Sequence, residues 1–146
     1  MGFDVFLRTT GGKGLHLVVA MAGGQDWRLV KGFAEALSRS MAADAPGLFT
    51  AVSSKERRKG RIYLDYLRNG RGASAVASYS LRARPGFPVA TPIAWNELRR
   101  LPGGGAFNRL TVPARLEGLA EDPWNELGSN AVKITPAMRR AVGMKT

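Results

Sequence analysis

Apolar and polar positions change rhythm several times along this chain, and each change marks an element. The segment Phe3-Asp4-Val5-Phe6-Leu7-Arg8 reads with period two, the spacing of a half-buried strand. A glycine-rich stretch over 9–14 interrupts it, and Leu15-His16-Leu17-Val18-Val19-Ala20 resumes as a second strand, so the two predict a hairpin with a long tip. Gly23-Gly24 ends that strand, and Asp26 stands where it can cap a helix. Trp27, Val30, Phe33, Ala34, Leu37 and Met41 then recur at helical spacing, which predicts an amphipathic helix over 27–44, closed by Ala45-Pro46-Gly47.

Beyond the helix the rhythm shortens. Residues 48–52 form a short strand candidate, 61–67 a clearer one, and 73–80 a further one. Residues 85–92 read as an extended connection punctuated by prolines. Short helices are expected over 95–101, 113–120 and 136–142. No internal repeat and no second domain is visible. The pattern therefore predicts one α+β domain over 1–146, a mixed or antiparallel sheet with packed helices.

Composition narrows the classes. The chain has 146 residues, enough to bury a core. The longest apolar run, 15–22, is interrupted by His16 and is far short of a membrane span. The start has no apolar core of a signal peptide, and Phe6 stands where a myristoylation site wants Ser or Thr. Cysteine is absent, which excludes disulfides, thiol chemistry and Cys-based zinc sites and is compatible with the cytoplasm. Charge changes the picture most: 22 Lys and Arg face 11 Asp and Glu, a formal +11 with a pI near 11.1. An excess of this size is most readily neutralised by nucleic acid, although an arginine-rich coding bias or a ribosomal role gives similar numbers.

Three features could carry chemistry. The first is the tip Thr10-Gly11-Gly12-Lys13-Gly14-Leu15-His16. Glycines let backbone N–H groups crowd around an anion, a lysine adds point charge and a hydroxyl adds a donor, which together suit a triphosphate. The P-loop spacing is absent, and the next element reads as a strand. A bare tip of this kind is also simply a solvated turn, and a lone histidine such as His16 is more often structural. The second feature is Asp65 within the 61–67 strand, on the same face as Arg61, Tyr63 and Leu67. A carboxylate there is paired, exposed or metal-bound, and an ion pair with Arg61 is the plainest choice. The third is a run of cations over 55–84: Lys55, Arg57, Arg58, Lys59, Arg61, Arg68, Arg71, Arg82 and Arg84, with Tyr63, Tyr66 and Tyr79 interleaved. Cations meet phosphates and aromatic rings offer stacking faces, so phosphate contact is the better reading of this run.

Together these pieces resemble one family. TTGGKGLHLVV is similar to the [ST]GGKGLH motif in the polymerase domain of bacterial ligase D, an archaeo-eukaryotic-primase-like enzyme of non-homologous end joining. ERRKGRIYLDYLRNGRGASAVASYSLRARPGFPVATPIAWNEL resembles that domain's longest signature, and VPARLEGLAEDPWNEL resembles its ending. The likeness runs from about Phe3 to Leu127 and implies an RRM-like catalytic module. It further implies that Thr10, Lys13, His16, Arg58 and Arg82 bind nucleotide, with Arg58 and Arg82 reaching its phosphates or the primer-template. Asp65 becomes the third carboxylate of a two-metal Mg²⁺ or Mn²⁺ site, and Lys55, Arg57, Lys59, Arg61, Arg68, Arg71 and Arg84 become DNA contacts. The family fills gaps at DNA ends with NTP or dNTP, often preferring ribonucleotides, and works with a ligase and the end-binding protein Ku in the bacterial cytoplasm, at the nucleoid.

One departure qualifies the likeness. The family carries a D-x-D pair on a strand well before its glycine loop, whereas here Asp4 precedes a Phe6 and lies too near the loop to match. Two metals need several carboxylates. The expectation is therefore a C-terminal half of the polymerase domain that binds but is nearly inactive alone. Its missing partner is a chain with the other half, and an open sheet edge invites a homodimer. No KxDG ligase motif is present, and nothing resembles a nuclease.

Overall fold

In the computed structural model, residues 1–145 are described. They form two units, each assembled from separated stretches of chain: Gly2–Ala22 with Val76–Val132, and Gly23–Ala75 with the segment from Lys133 onward.

The unit holding the glycine loop is built on a three-stranded antiparallel sheet in the order β2-β1-β5. Its strands are β1 (Phe6–Thr9), β2 (Leu15–Val18) and β5 (Pro92–Ile93). Both hairpin strands are shorter than the apolar pattern suggests, because residues 3–5 and 19–20 find no ladder partner in this sheet. Register sets Arg8 opposite His16 and Leu7 opposite both Leu17 and Ile93. Alternation then sends Leu7 and Thr9 to one face and Phe6 and Arg8 to the other. Leu7 and Ile93 are almost fully buried and anchor the core with Val89, Ala90 and Val112. Buried Thr9 and Thr91 pair across the sheet: Thr91 N–H donates to Thr9 Oγ1 at 3.0 Å, and Thr9 N–H donates to Thr91 O at 3.0 Å.

Helix α2 (Thr111–Gly118) is tied to β5 through Arg115. Its guanidinium forks onto the Glu97 carboxylate and also donates to Pro92 O at 3.1 Å. Glu97 lies in the short 3₁₀ stretch Trp95–Arg100 and accepts the Ala94 N–H at 2.7 Å. The Arg115 hydrogen bonds hold the Glu97 carboxyl below its ordinary range, against the opposing effect of burial. A lowered folded pKa means stability that is full above the unfolded value and lost as pH falls through the folded one. Glu97→Gln is expected to cost about 2–3 kcal/mol at neutral pH, since it leaves a mostly buried guanidinium without its compensating charge. That difference should shrink as pH falls below the ordinary carboxylate range and the native carboxyl protonates. Thermal melts of both forms across pH check it; a pH-independent gap contradicts it.

In the other unit, helix α1 (Trp27–Asp44) spans the predicted residues, with Asp26 accepting the Arg28 N–H at 3.0 Å as its cap. Phe33 is its buried residue, while Trp27 and Met41 remain exposed at its ends. The parallel pair β3 (Phe49–Thr50) and β4 (Ile62–Tyr63) packs with it, as does the 3₁₀ turn Leu67–Asn69. The expected 61–67 strand stops at Tyr63 because Asp65 Oδ1 accepts the Leu67 N–H at 3.1 Å, a local bond that starts the turn in place of a ladder. Helix α3 (Pro136–Ala141) follows a Thr135 cap that accepts the Met138 N–H at 3.2 Å.

The candidate strand over 73–80 does not form. Tyr79 takes a left-handed φ of 62°, which no strand accommodates. What pairs instead is the single bridge of Leu81 with Val89, around a tight turn containing Phe87 and Gly86 at positive φ.

Candidate functional site

The loop between β1 and β2 is held shut from within. Thr10 N–H and Thr10 Oγ1 both donate to Gly14 O, at 3.2 and 2.9 Å, and Gly12 N–H donates back to Thr10 Oγ1 at 3.2 Å. The Thr10 hydroxyl is therefore both donor and acceptor in closing the loop. A second segment clamps the loop from outside: Gly11 N–H donates to Gly104 O at 2.9 Å. Gly104 is packed so closely that a Cβ there would lie 2.2 Å from Gly14 O and 2.9 Å from Gly12 O. Gly12, Lys13 and residues 102–106 line an open cleft of about 430 Å³.

Two predicted arginines reach this loop. A Cβ built on Gly11 would meet Arg82 Cγ at 2.6 Å, and one on Gly12 would lie 3.5 Å from Arg84 Nη1. The turn over 81–89 positions them, with Arg82 N–H donating to Pro88 O at 2.8 Å. Gly11 has a positive φ of 65° and no room for a side chain, so both its conformation and its packing require glycine. Lys13 is exposed at the tip. The structure thus brings Thr10, Lys13, Arg82 and Arg84 together around one glycine loop, with His16 on the strand that leaves it.

The ring of His16 has a partner that the pattern of residues did not disclose. Arg8 Nη2 lies 2.8 Å from His16 Nδ1, and Arg8 Nη1 donates to Ser78 Oγ at 3.1 Å. The guanidinium is 5.1 Å from the centre of the Trp124 ring, whose indole N–H donates to Leu7 O at 2.8 Å. Burial pulls the Arg8 guanidinium below its ordinary range. Beside Ser78, Tyr79 donates to Asp122 Oδ2 at 2.6 Å, and burial together with that bond pushes its phenol up to about 12. In the sequence, the signal for Arg8 was its place on the Phe6 face of an alternating strand. The signal for Gly104 was the Gly103-Gly104-Gly105 run between the short helices expected over 95–101 and 113–120.

The remaining candidates lie in the other unit. Lys55, Arg57, Arg58, Lys59, Arg68 and Arg71 are exposed and Arg61 is half-buried. The Arg58 guanidinium stacks 4.0 Å from the centre of the Tyr63 ring. Burial, with the nearby Asp65 charge, raises the Tyr63 phenol. Asp65 pairs with Arg68 at 3.4 Å and not with Arg61, which points to Pro46 O at 3.5 Å. The sequence paired Asp65 with Arg61 on the assumption of a continuous strand; the turn at Asp65 brings the i+3 arginine near instead.

Whether these residues suit a two-metal centre can be judged from their donors. Among the described residues, no three of His, Cys, Asp and Glu group where they could hold a metal ion. Both Asp65 oxygens are already engaged, one by the Leu67 N–H and one by Arg68. The donor set present does not fit two divalent cations.

Comparison with known proteins identifies the family and the fold. Residues 1–124 match the family described as LigD, primase-polymerase domain. The multifunctional non-homologous end joining protein LigD of Pseudomonas aeruginosa is 46% identical over 144 residues, which are 98% of this chain and 17% of that protein. Its namesake from Mycolicibacterium smegmatis is 33% identical over 98 residues, 67% of this chain and 13% of that protein. The chain thus spans less than a fifth of these relatives. Among solved structures, the polymerase domain from Mycobacterium tuberculosis ligase D in complex with DNA matches with a TM-score of 0.79 at 28% identity, over 90% of this chain and 45% of that one. The α+β architecture is that of the solved domain, and the chain belongs to the LigD primase-polymerase domain family.

Proposed function

We propose that these residues are the triphosphate- and DNA-gripping half of a nucleotidyltransferase that fills gaps at DNA ends in non-homologous end joining. The observation that carries this reading is the clamped glycine loop with Lys13, Arg82 and Arg84 around it. Lys13 and Arg82 neutralise the phosphates of an incoming NTP or dNTP, His16 donates to them, and Thr10 keeps the loop closed. Arg84 and the cations from Lys55 to Arg71 hold the backbone of DNA ends or a primer-template, while the Arg58–Tyr63 stack offers a flat surface to a base. Asp65 would lend one carboxylate towards Mg²⁺ or Mn²⁺ only on releasing the Leu67 N–H or Arg68. Catalysis then needs acidic groups from outside these 146 residues, supplied by a polypeptide with a D-x-D strand. A ligase domain and Ku are the partners this role calls for, in the bacterial cytoplasm. Among the described residues, no helix is long and apolar enough to cross a membrane.

Two measurements test this. A labelled nucleoside triphosphate should bind at low salt and be displaced by inorganic tripolyphosphate; displacement by the bare nucleoside instead would place recognition on the base and sink the reading. DNA affinity should fall linearly on a log–log plot against salt, and Arg58→Glu should reduce the slope by about one for all sequences. Salt-independent binding would contradict it.

A second reading, a non-catalytic DNA- and nucleotide-binding module, is favoured by the engagement of both Asp65 oxygens within the chain. It predicts DNA binding that survives Asp65→Ala. Self-association fits either reading: β2 is an edge strand, and its Leu17 is 63% exposed. A concentration-independent monomer in light scattering would remove it.

A further inference from the structure

We propose that Arg8 is a positioning residue for His16: its buried guanidinium occupies the imidazole Nδ1, and so makes Nε2 the nitrogen that carries the proton offered to a phosphate. The proposal deepens the reading of the glycine loop as a triphosphate site and rests on it.

Register places Arg8 directly opposite His16 on neighbouring strands, so their side chains leave the same face of the sheet. A guanidinium has donors and no acceptor. At 2.8 Å from Arg8 Nη2, His16 Nδ1 must therefore be accepting. A neutral imidazole has one donor and one acceptor, so its proton stands on Nε2. The opposite tautomer would set two donors head to head.

Arg8 is itself fixed. It is only 7% exposed. One arm of its fork is held by Ser78 Oγ at 3.1 Å, and its central carbon stands over the ring of Trp124, which is pinned through the Leu7 carbonyl. A lysine could not hold Ser78 and His16 with one planar fork. No carboxylate pairs with Arg8 among the described ion pairs. Burying a cation on neutral partners alone is costly. The arrangement yields a ring of defined orientation and tautomer beside the loop, with a positive charge behind it that favours an anion in front.

The test is a double-mutant cycle in affinity for inorganic tripolyphosphate, using the 146-residue chain. Arg8→Met is expected to weaken binding about tenfold when His16 is present, and by less than about twofold in a His16→Ala background. An Arg8 that merely supports the fold would weaken both backgrounds alike, and that result overturns the proposal. His16 is the chain's only histidine, so the imidazole ¹⁵N spectrum of the unaltered chain reads its tautomer without assignment. A protonated Nε2 with a bare Nδ1 is expected; a proton on Nδ1 overturns the proposal even if Arg8→Met fails to fold. If the unaltered chain does not bind tripolyphosphate, the triphosphate site falls, and the spectrum still decides the Arg8–His16 geometry.

Discussion

Gly104→Ala is expected to loosen the glycine loop, weakening tripolyphosphate binding at least about tenfold and destabilising the unit by about 2–4 kcal/mol. The added methyl would meet backbone on every side: Gly14 O at 2.2 Å, Gly12 O at 2.9 Å and Gly14 N at 2.9 Å. Backbone cannot swing aside as a side-chain end can, so one of the two segments must move. The Gly11 N–H to Gly104 O bond would go with it, leaving a donor of the buried Gly11 unpaired. Gly105→Ala is the matched control, since its Cβ would reach Gly12 O at an ordinary 3.5 Å. Thermal melts and tripolyphosphate titrations of both variants give the comparison. A Gly104→Ala chain that melts and binds like its parent would mean that the 102–106 segment does not clamp the loop.

The second large effect concerns catalysis. These 146 residues by themselves are expected to extend a primer on the order of 10³-fold more slowly, or worse, than a polypeptide that also carries a D-x-D strand. The reason is in the donor set: Asp65 spends one oxygen on the Leu67 N–H and the other on Arg68, and among the described residues no three acidic or imidazole groups cluster where they could hold a metal ion. A lone carboxylate cannot hold two cations a few ångströms apart. Labelled-nucleotide incorporation with Mn²⁺ is the assay. Robust incorporation by the purified chain, abolished in Asp65→Ala, would refute the expectation.

Legibility in the sequence followed the range of the interactions. Helix α1 could be read to the residue, because its apolar stripe and its Asp26 cap are local. Strands were read too long where a side chain competes with the ladder, as Asp65 does after Tyr63, or where the backbone turns left-handed, as at Tyr79. The loop residues Thr10 and Lys13 were legible because they are contiguous. The support behind them was not: Arg8 meets Ser78 across 70 positions, and Trp124 meets Leu7 across 117. Only the folded sheet places those groups together. Thr10 shows a further limit, since the motif placed a hydroxyl on the glycine loop but did not show that the loop itself consumes it.

The central claim is that this chain grips a triphosphate with cations on a glycine loop, independently of a metal centre. Calorimetric titration of a nucleoside triphosphate in the presence of a chelator tests it most directly. Binding that persists without divalent metal, survives Asp65→Ala and is lost in Lys13→Glu and Arg82→Glu is the predicted result. Binding that requires metal and Asp65, and is indifferent to Lys13 and Arg82, would contradict it.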